Sequence, residues 1–218
     1  MAGEPETLDT DEPLARRTHR HGFDRLIMLS DGVFAIAITL LAFDLRGPAV
    51  WDGSLVRLWS DLAPKLDAYA LSFLVISVYW LAHKRFMAMI LTVDAAVSVI
   101  NLVMLALVAL LPAATQLVHT YDVRPETMLI YGGLVVAIGA TLAVLWAYAA
   151  LIADLVSPQV PRRVRWFLLV LIVLTPPLFL GLVMLIANPP PGVVPVVLTA
   201  LFLIGWRMRL WVLTRLER

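Results

Sequence analysis

The sequence predicts an all-α integral membrane protein with six transmembrane helices per subunit, on three observations. First, 61% of its 218 residues are hydrophobic and only 15% charged, against about 45–50% and 25% in an ordinary soluble domain. Second, apolar runs recur at a length that suits a membrane. Third, lysine and arginine collect on alternate breaks between those runs.

A helix that crosses a hydrocarbon core of about 30 Å needs roughly 20 mostly apolar residues. Such runs lie at about Leu26–Leu45, Leu66–Ala82, Leu91–Leu117, Met128–Leu155, Trp166–Ala187 and Val193–Leu213. The breaks carry charge or turn chemistry: Arg46-Gly47-Pro48, His83-Lys84-Arg85, Asp122 to Glu126, Ser157 to Arg165, and the proline run that follows Asn188. Trp51 and Trp59 suit an interfacial segment in the first break, and Trp206 and Trp211 read as anchors of the last helix. Pro112 and the Pro176-Pro177 pair fall inside helices, where each removes a backbone donor and predicts a kink or break.

Cytoplasmic loops hold the excess of lysine and arginine. With the N-terminus inside, thirteen of the seventeen such residues fall on the inner side, leaving Arg46, Arg57, Lys65 and Arg124 outside. An odd number of helices would break this alternation. The expectation is a multi-pass protein of the cell membrane with both termini cytoplasmic. Residues 1–22 are polar, acidic at first and then basic, with no apolar core of a secretory signal. They read as a disordered cytoplasmic tail, with 23–218 as one six-helix transmembrane domain.

Composition also excludes classes of function. A formal net charge of +1 gives no footprint for nucleic acid. The chain has no cysteine, and its four histidines are too scattered to hold a metal, so neither metal nor cofactor is expected. No cluster of nucleophile, base and ligand suggests an enzyme. The lipid bilayer is the partner that composition does imply.

Charge inside a membrane helix is costly and marks an interior pairing or a pathway. Asp94 and Asp154 lie near helix ends, where solvation or pairing would satisfy them. Asp31 is deeper, about one and a half turns into the first apolar run and next to Ser30.

The stretch Arg25 to Leu41, with its Ser30-Asp31-Gly32 centre, resembles the first-helix signature of the transmembrane protein 175 family of potassium channels. That signature is a basic residue, three variable positions, then Phe-Ser-Asp; here Leu29 replaces the phenylalanine. Tyr79-Trp80-Leu81-Ala82-His83 at the end of the second helix, and Asn101 and Leu111-Pro112 in the third, are similar to the family's pattern too. The specific motifs span roughly residues 24–112.

The resemblance implies four subunits of six helices each, with the first helix of each lining a central pore. It implies potassium as the favoured ion, other monovalent cations passing more weakly. At about 100° per residue, Leu40, Phe43 and Thr39 share one stripe with Ile36, whereas Ser30 and Asp31 lie on the far side. The expectation is a hydrophobic constriction of Ile36, Leu40 and Phe43, with Thr39 hydroxyls aiding selectivity. Arg25, Ser30, Asp31, His83 and Asn101 would then form an interior anchor. Thr39 bonding back to its own helix is the plainer alternative for that residue. A transporter coupled to ions or protons is the alternative for the whole chain, with Asp31 as its titratable group.

Overall fold

The computed structural model describes residues 14–47, 52–121 and 124–187. They form five long helices: α1 (Leu14–Leu41), α2 (Leu55–Met89), α3 (Ala95–Thr120), α4 (Pro125–Ala147) and α5 (Arg162–Ala187). Among the described residues, α2, α3 and the span Glu126–Ile152 are long and apolar enough to cross a membrane. The expected sixth run, Val193–Leu213, and the tryptophans Trp51, Trp206 and Trp211 lie outside the described residues.

Helix boundaries depart from expectation at their polar ends. Helix α1 begins at Leu14, so residues 14–22, read as tail, continue the first helix. Helix α2 begins at Leu55 and absorbs what was expected to be an interfacial loop, Trp59 included. The reason is local: Ser54 caps the helix by accepting from the Arg57 amide, and Arg57 pairs with Asp52 at 2.6 Å. Helical hydrogen bonding survives beyond the apolar run because nothing in residues 55–65 except Pro64 opposes it. Prolines 64, 112 and 176 all sit within continuous helix, so none of them ends one.

The bundle core is apolar and largely centred on α3, which packs against both α1 and α4. Val97, Met104, Leu105, Val108 and Leu111 of α3 are buried there. Every buried polar side-chain atom among the described residues has a partner, as a hydrocarbon setting demands. Ser72 of α2 bonds both Thr115 (2.8 Å) and Tyr131 (3.2 Å), tying α2, α3 and α4 at one depth.

Gly139 marks a second crossing. The Tyr79 hydroxyl donates to the Val135 carbonyl at 2.7 Å, on the turn of α4 that carries Gly139. A Cβ on Gly139 would lie 3.0 Å from the Tyr79 oxygen and would overlap the Pro176 ring. Close approach of α4 to Tyr79 and Pro176 therefore requires glycine here. Gly139→Ala should lower stability by about 1–3 kcal/mol, the usual cost of an overpacked interior, read as an earlier thermal transition of the detergent-solubilised protein. Unchanged melting would mean that Pro176 yields freely. Pro176 closes one compact unit of the chain, and Pro177 opens a second, of which residues 177–187 are described.

The α2–α3 turn and the α4–α5 loop lie at the same end of the bundle. An antiparallel bridge joins Ile90 to Val156, with Leu91 N–H donating to Leu155 O and Ser157 N–H to Met89 O at 2.9 Å each. At the opposite end the Lys65 ammonium donates to the Arg46 carbonyl at 2.8 Å, joining α2 to the end of α1. This is the alternation that helices of bilayer length impose.

The bridged end is locked by Arg165, whose side chain is only 12% exposed. Its guanidinium donates to the carbonyls of Val160 (3.1 Å) and Ala150 (2.9 Å) and pairs with Asp154. Trp146 donates its indole N–H to the Arg165 carbonyl. The clamp stabilises an irregular stretch: α4 passes into a π turn at Tyr148–Ile152, and Asp154 takes a positive φ of 49°. Asp94 caps α3 by accepting from the Val97 amide, and accepts from the Tyr148 hydroxyl at 2.6 Å. The Tyr148 bond, then the amide, hold the Asp94 carboxyl below the ordinary carboxylate range. Its contribution is present at neutral pH and fades as acid protonates it below that range. The two aspartates expected near helix ends are thus both paired there.

Candidate functional site

Helix α1 presents two faces of opposite character. Ser30, Phe34, Ala37 and Leu41 are buried; at about 100° per residue they fall within about 60° of arc. That stripe faces the bundle, where α1 packs on α3 and α2. On the other side Ile36 is 59%, Leu40 42% and Phe43 64% exposed, and Thr39 is exposed beside them. Phe43 belongs to a short 3-10 turn, Ala42–Asp44, that ends the helix. It stays exposed there despite the change of pitch.

Helices α2 to α4 also expose leucine and valine, as lipid-facing surfaces do. The exposed surface of α1 carries Thr39 and Gly32 among its apolar residues. The Thr39 hydroxyl donates to the Ile36 carbonyl at 2.9 Å, the back-bond that sequence reasoning held as the plainer alternative. The bond does not remove the oxygen from chemistry. Its proton is spent on the helix, and its two lone pairs are left to accept, as from a cation on the exposed side.

Behind α1 lies a directed hydrogen-bond chain. The Ser30 hydroxyl donates to the Leu26 carbonyl (2.8 Å) and accepts from the Asn101 amide (2.9 Å). The Asn101 oxygen is 2.8 Å from His83 Nε2; with the amide nitrogen committed to Ser30, the ring nitrogen is the donor. All three residues are buried, and Phe34 lies against the His83 ring with centroids 5.7 Å apart. Three helices are joined through Asn101.

Two members of the expected anchor lie elsewhere. Asp31 is exposed and is held by the Trp80 indole N–H at 2.8 Å, so it meets neither Arg25, His83 nor Asn101. One residue of helix is about 100° of rotation, enough to carry Asp31 past the buried stripe that holds Ser30. Arg25 is exposed and takes no part in these bonds. Sequence reasoning did not assign Trp80 a role, although it stands one turn before His83 on α2. Its indole donates to Asp31, and Lys84 covers its ring at 5.1 Å from the centroid. Among the described residues no group of His, Asp and Glu could hold a metal ion.

A bundle of bilayer-length apolar helices, with every buried polar side-chain atom among the described residues partnered, defines a multi-pass helical membrane protein. The family model for the endosomal/lysosomal potassium channel TMEM175 matches residues 25–112. A potassium channel of Streptomyces collinus is 35% identical over 144 residues, 62% of this chain and 68% of that protein. A potassium channel of Chamaesiphon minutus is 33% identical, covering 64% of this chain and 71% of its own length. The crystal structure of a lysosomal potassium-selective channel TMEM175 homolog from Chamaesiphon minutus superposes with a TM-score of 0.64 at 28% identity, covering 87% of this chain and 97% of that one. The chain belongs to the TMEM175 family. The human endosomal/lysosomal proton channel TMEM175 is 28% identical over a stretch that makes up 33% of its length.

Proposed function

We propose that the protein is a potassium-favouring cation channel of the cell membrane, assembled as a homotetramer around the exposed face of α1. The observation that carries this reading is that face. Ile36, Leu40 and Phe43 are exposed on a helix whose opposite side is fixed by packing and by the Ser30–Asn101–His83 chain. One helix face cannot enclose a pore, so four copies supply the wall. Each subunit contributes six helices, with residues 193–213 as the sixth and both termini in the cytoplasm, as the charge distribution favours.

Ions passing along the axis meet successive rings of Ile36 and Leu40. An apolar ring cannot replace the hydration shell, so flow is resisted there by dewetting. Thr39 oxygens between those rings offer the nearest dipoles to a partly dehydrated ion. Few fixed ligands make for modest preference of potassium over sodium. The test is single-channel recording of purified protein in lipid under asymmetric potassium and sodium, with native mass measurement of the same sample. Ohmic, unsaturated current reversing toward the potassium potential, from a species four times the subunit mass, is expected. Saturable electroneutral flux from a dimer would overturn it.

A coupled transporter draws support from one observation, the exposed carboxylate of Asp31. That carboxylate accepts from the Trp80 indole. Substrate-driven potassium flux that collapses in Asp31→Asn while the protein still assembles would favour that second reading.

A further inference from the structure

The outward face of α1 does not end at Ile36. Toward the start of the helix, Gly32, Leu29 and Arg25 fall within about 40° of the Ile36 direction at about 100° per residue, and all three are exposed. Leu29 is 48% exposed. Arg25 joins none of the bonds that hold Ser30, Asp31, His83 and Asn101. Its sequence neighbour Asp24 is about 100° round the helix, and adjacent residues on a helix do not face one another. The apolar part of the stripe that carries the constriction therefore gives way to a cation, with α1 continuing beyond it to Leu14.

We propose that Arg25 stands at the cytoplasmic mouth of the pore as a ring of four fixed positive charges, which depletes potassium there and makes the channel rectify inwardly. This rests on the pore reading above. The ring sits roughly 16 Å along the axis from Ile36, at about 1.5 Å per residue. Potassium and sodium carry the same charge, so the ring acts on the supply of ions at the mouth and leaves the choice between them to the constriction. Walls of low dielectric focus the field of such a ring. Ions arriving from the cytoplasm are repelled before entry, while ions from outside have already crossed the narrow point. Outward current suffers more than inward. Screening removes the effect as salt rises, since the Debye length falls to about 3 Å at 1 M.

The test uses inside-out patches holding the full chain, with symmetric potassium chloride at about 20 mM and again at about 1 M, where screening is nearly complete. In the parent protein the ratio of inward to outward conductance should be at least about twofold larger in the dilute solution. Arg25→Gln should abolish that salt dependence and raise outward conductance in dilute salt. Arg25→Lys, which keeps the charge, should behave as the parent. The potassium-to-sodium ratio should be the same in all three, which a merely distorted pore would not preserve. A parent whose rectification is indifferent to salt overturns the proposal, whether or not the Gln variant folds. So does a lysine variant that behaves like glutamine. The pore reading fails separately: it falls if the purified protein gives saturable electroneutral flux from a dimer, and that outcome does not depend on Arg25.

Discussion

Ile36→Asn is expected to raise the current carried by each channel by on the order of threefold or more, equivalent to about 0.6 kcal/mol taken from the barrier. The Ile36 side chain is 59% exposed, so four copies closing on an axis would form an apolar ring. Water and ions resist entering such a ring because nothing in it replaces their hydrogen bonds. Asparagine keeps the number of side-chain heavy atoms, although it is the smaller residue, and supplies groups that hold water. Preference among monovalent cations should weaken along with the barrier if the ring enforces dehydration. Ile36→Ala widens the ring but leaves it apolar, so its effect should be smaller. Ile38 is the control. It is half-buried on the opposite side of the helix, and Ile38→Asn should reduce folded protein without raising current. An assembled Ile36→Asn channel that conducts as the parent does would move the narrow point to Leu40.

Asn101→Leu is expected to destabilise the protein by about 1–2 kcal/mol, within the range for orphaning a buried polar group. Asn101 is the only link between the buried Ser30 and His83. Leucine removes both bonds at once. Ser30 retains its donation to Leu26, but the His83 ring nitrogen is left without an acceptor. Pairs across membrane helices average only about 0.6 kcal/mol, so most of the loss should come from that stranded donor. The double variant His83→Phe with Asn101→Leu should then be more stable than Asn101→Leu alone, since an apolar pair strands nothing. Thermal transitions in detergent for the two singles and the double complete the cycle. Parent-like melting of Asn101→Leu would show that the chain of bonds contributes nothing to holding α1, α2 and α3 together.

Much of the architecture was legible in the amino-acid order because the bilayer imposes a length and an apolar composition that few other settings demand. Five of the six expected runs correspond to described helices, and the two elements predicted to share one end of the bundle are bridged through Ile90 and Val156. The expected anchor also counted Arg25 and Asp31, which stay out of the Ser30–Asn101–His83 chain. Helical periodicity places the Ile36 stripe and Ser30 on different faces. Boundaries were less legible. A helix continues into polar sequence wherever its backbone remains hydrogen-bonded, as α1 does back to Leu14 and α2 back to Leu55.

The sequence by itself determined the class of protein and the apolar runs, because these depend on composition and on the length that a bilayer demands. Only the tertiary structure decided who meets whom across helices. It gave Asp31 to Trp80 instead of Arg25, left Arg25 on the outward stripe, used Gly139 to admit Tyr79 and Pro176, and set Arg165 over the π turn. Each of those contacts joins residues far apart in the chain, and each turns on a helix rotation or a close approach of about one side chain. A period along one helix carries no information about the rotation of its neighbour. That is decided when the packed side chains of both have found the arrangement that leaves no buried donor or acceptor alone.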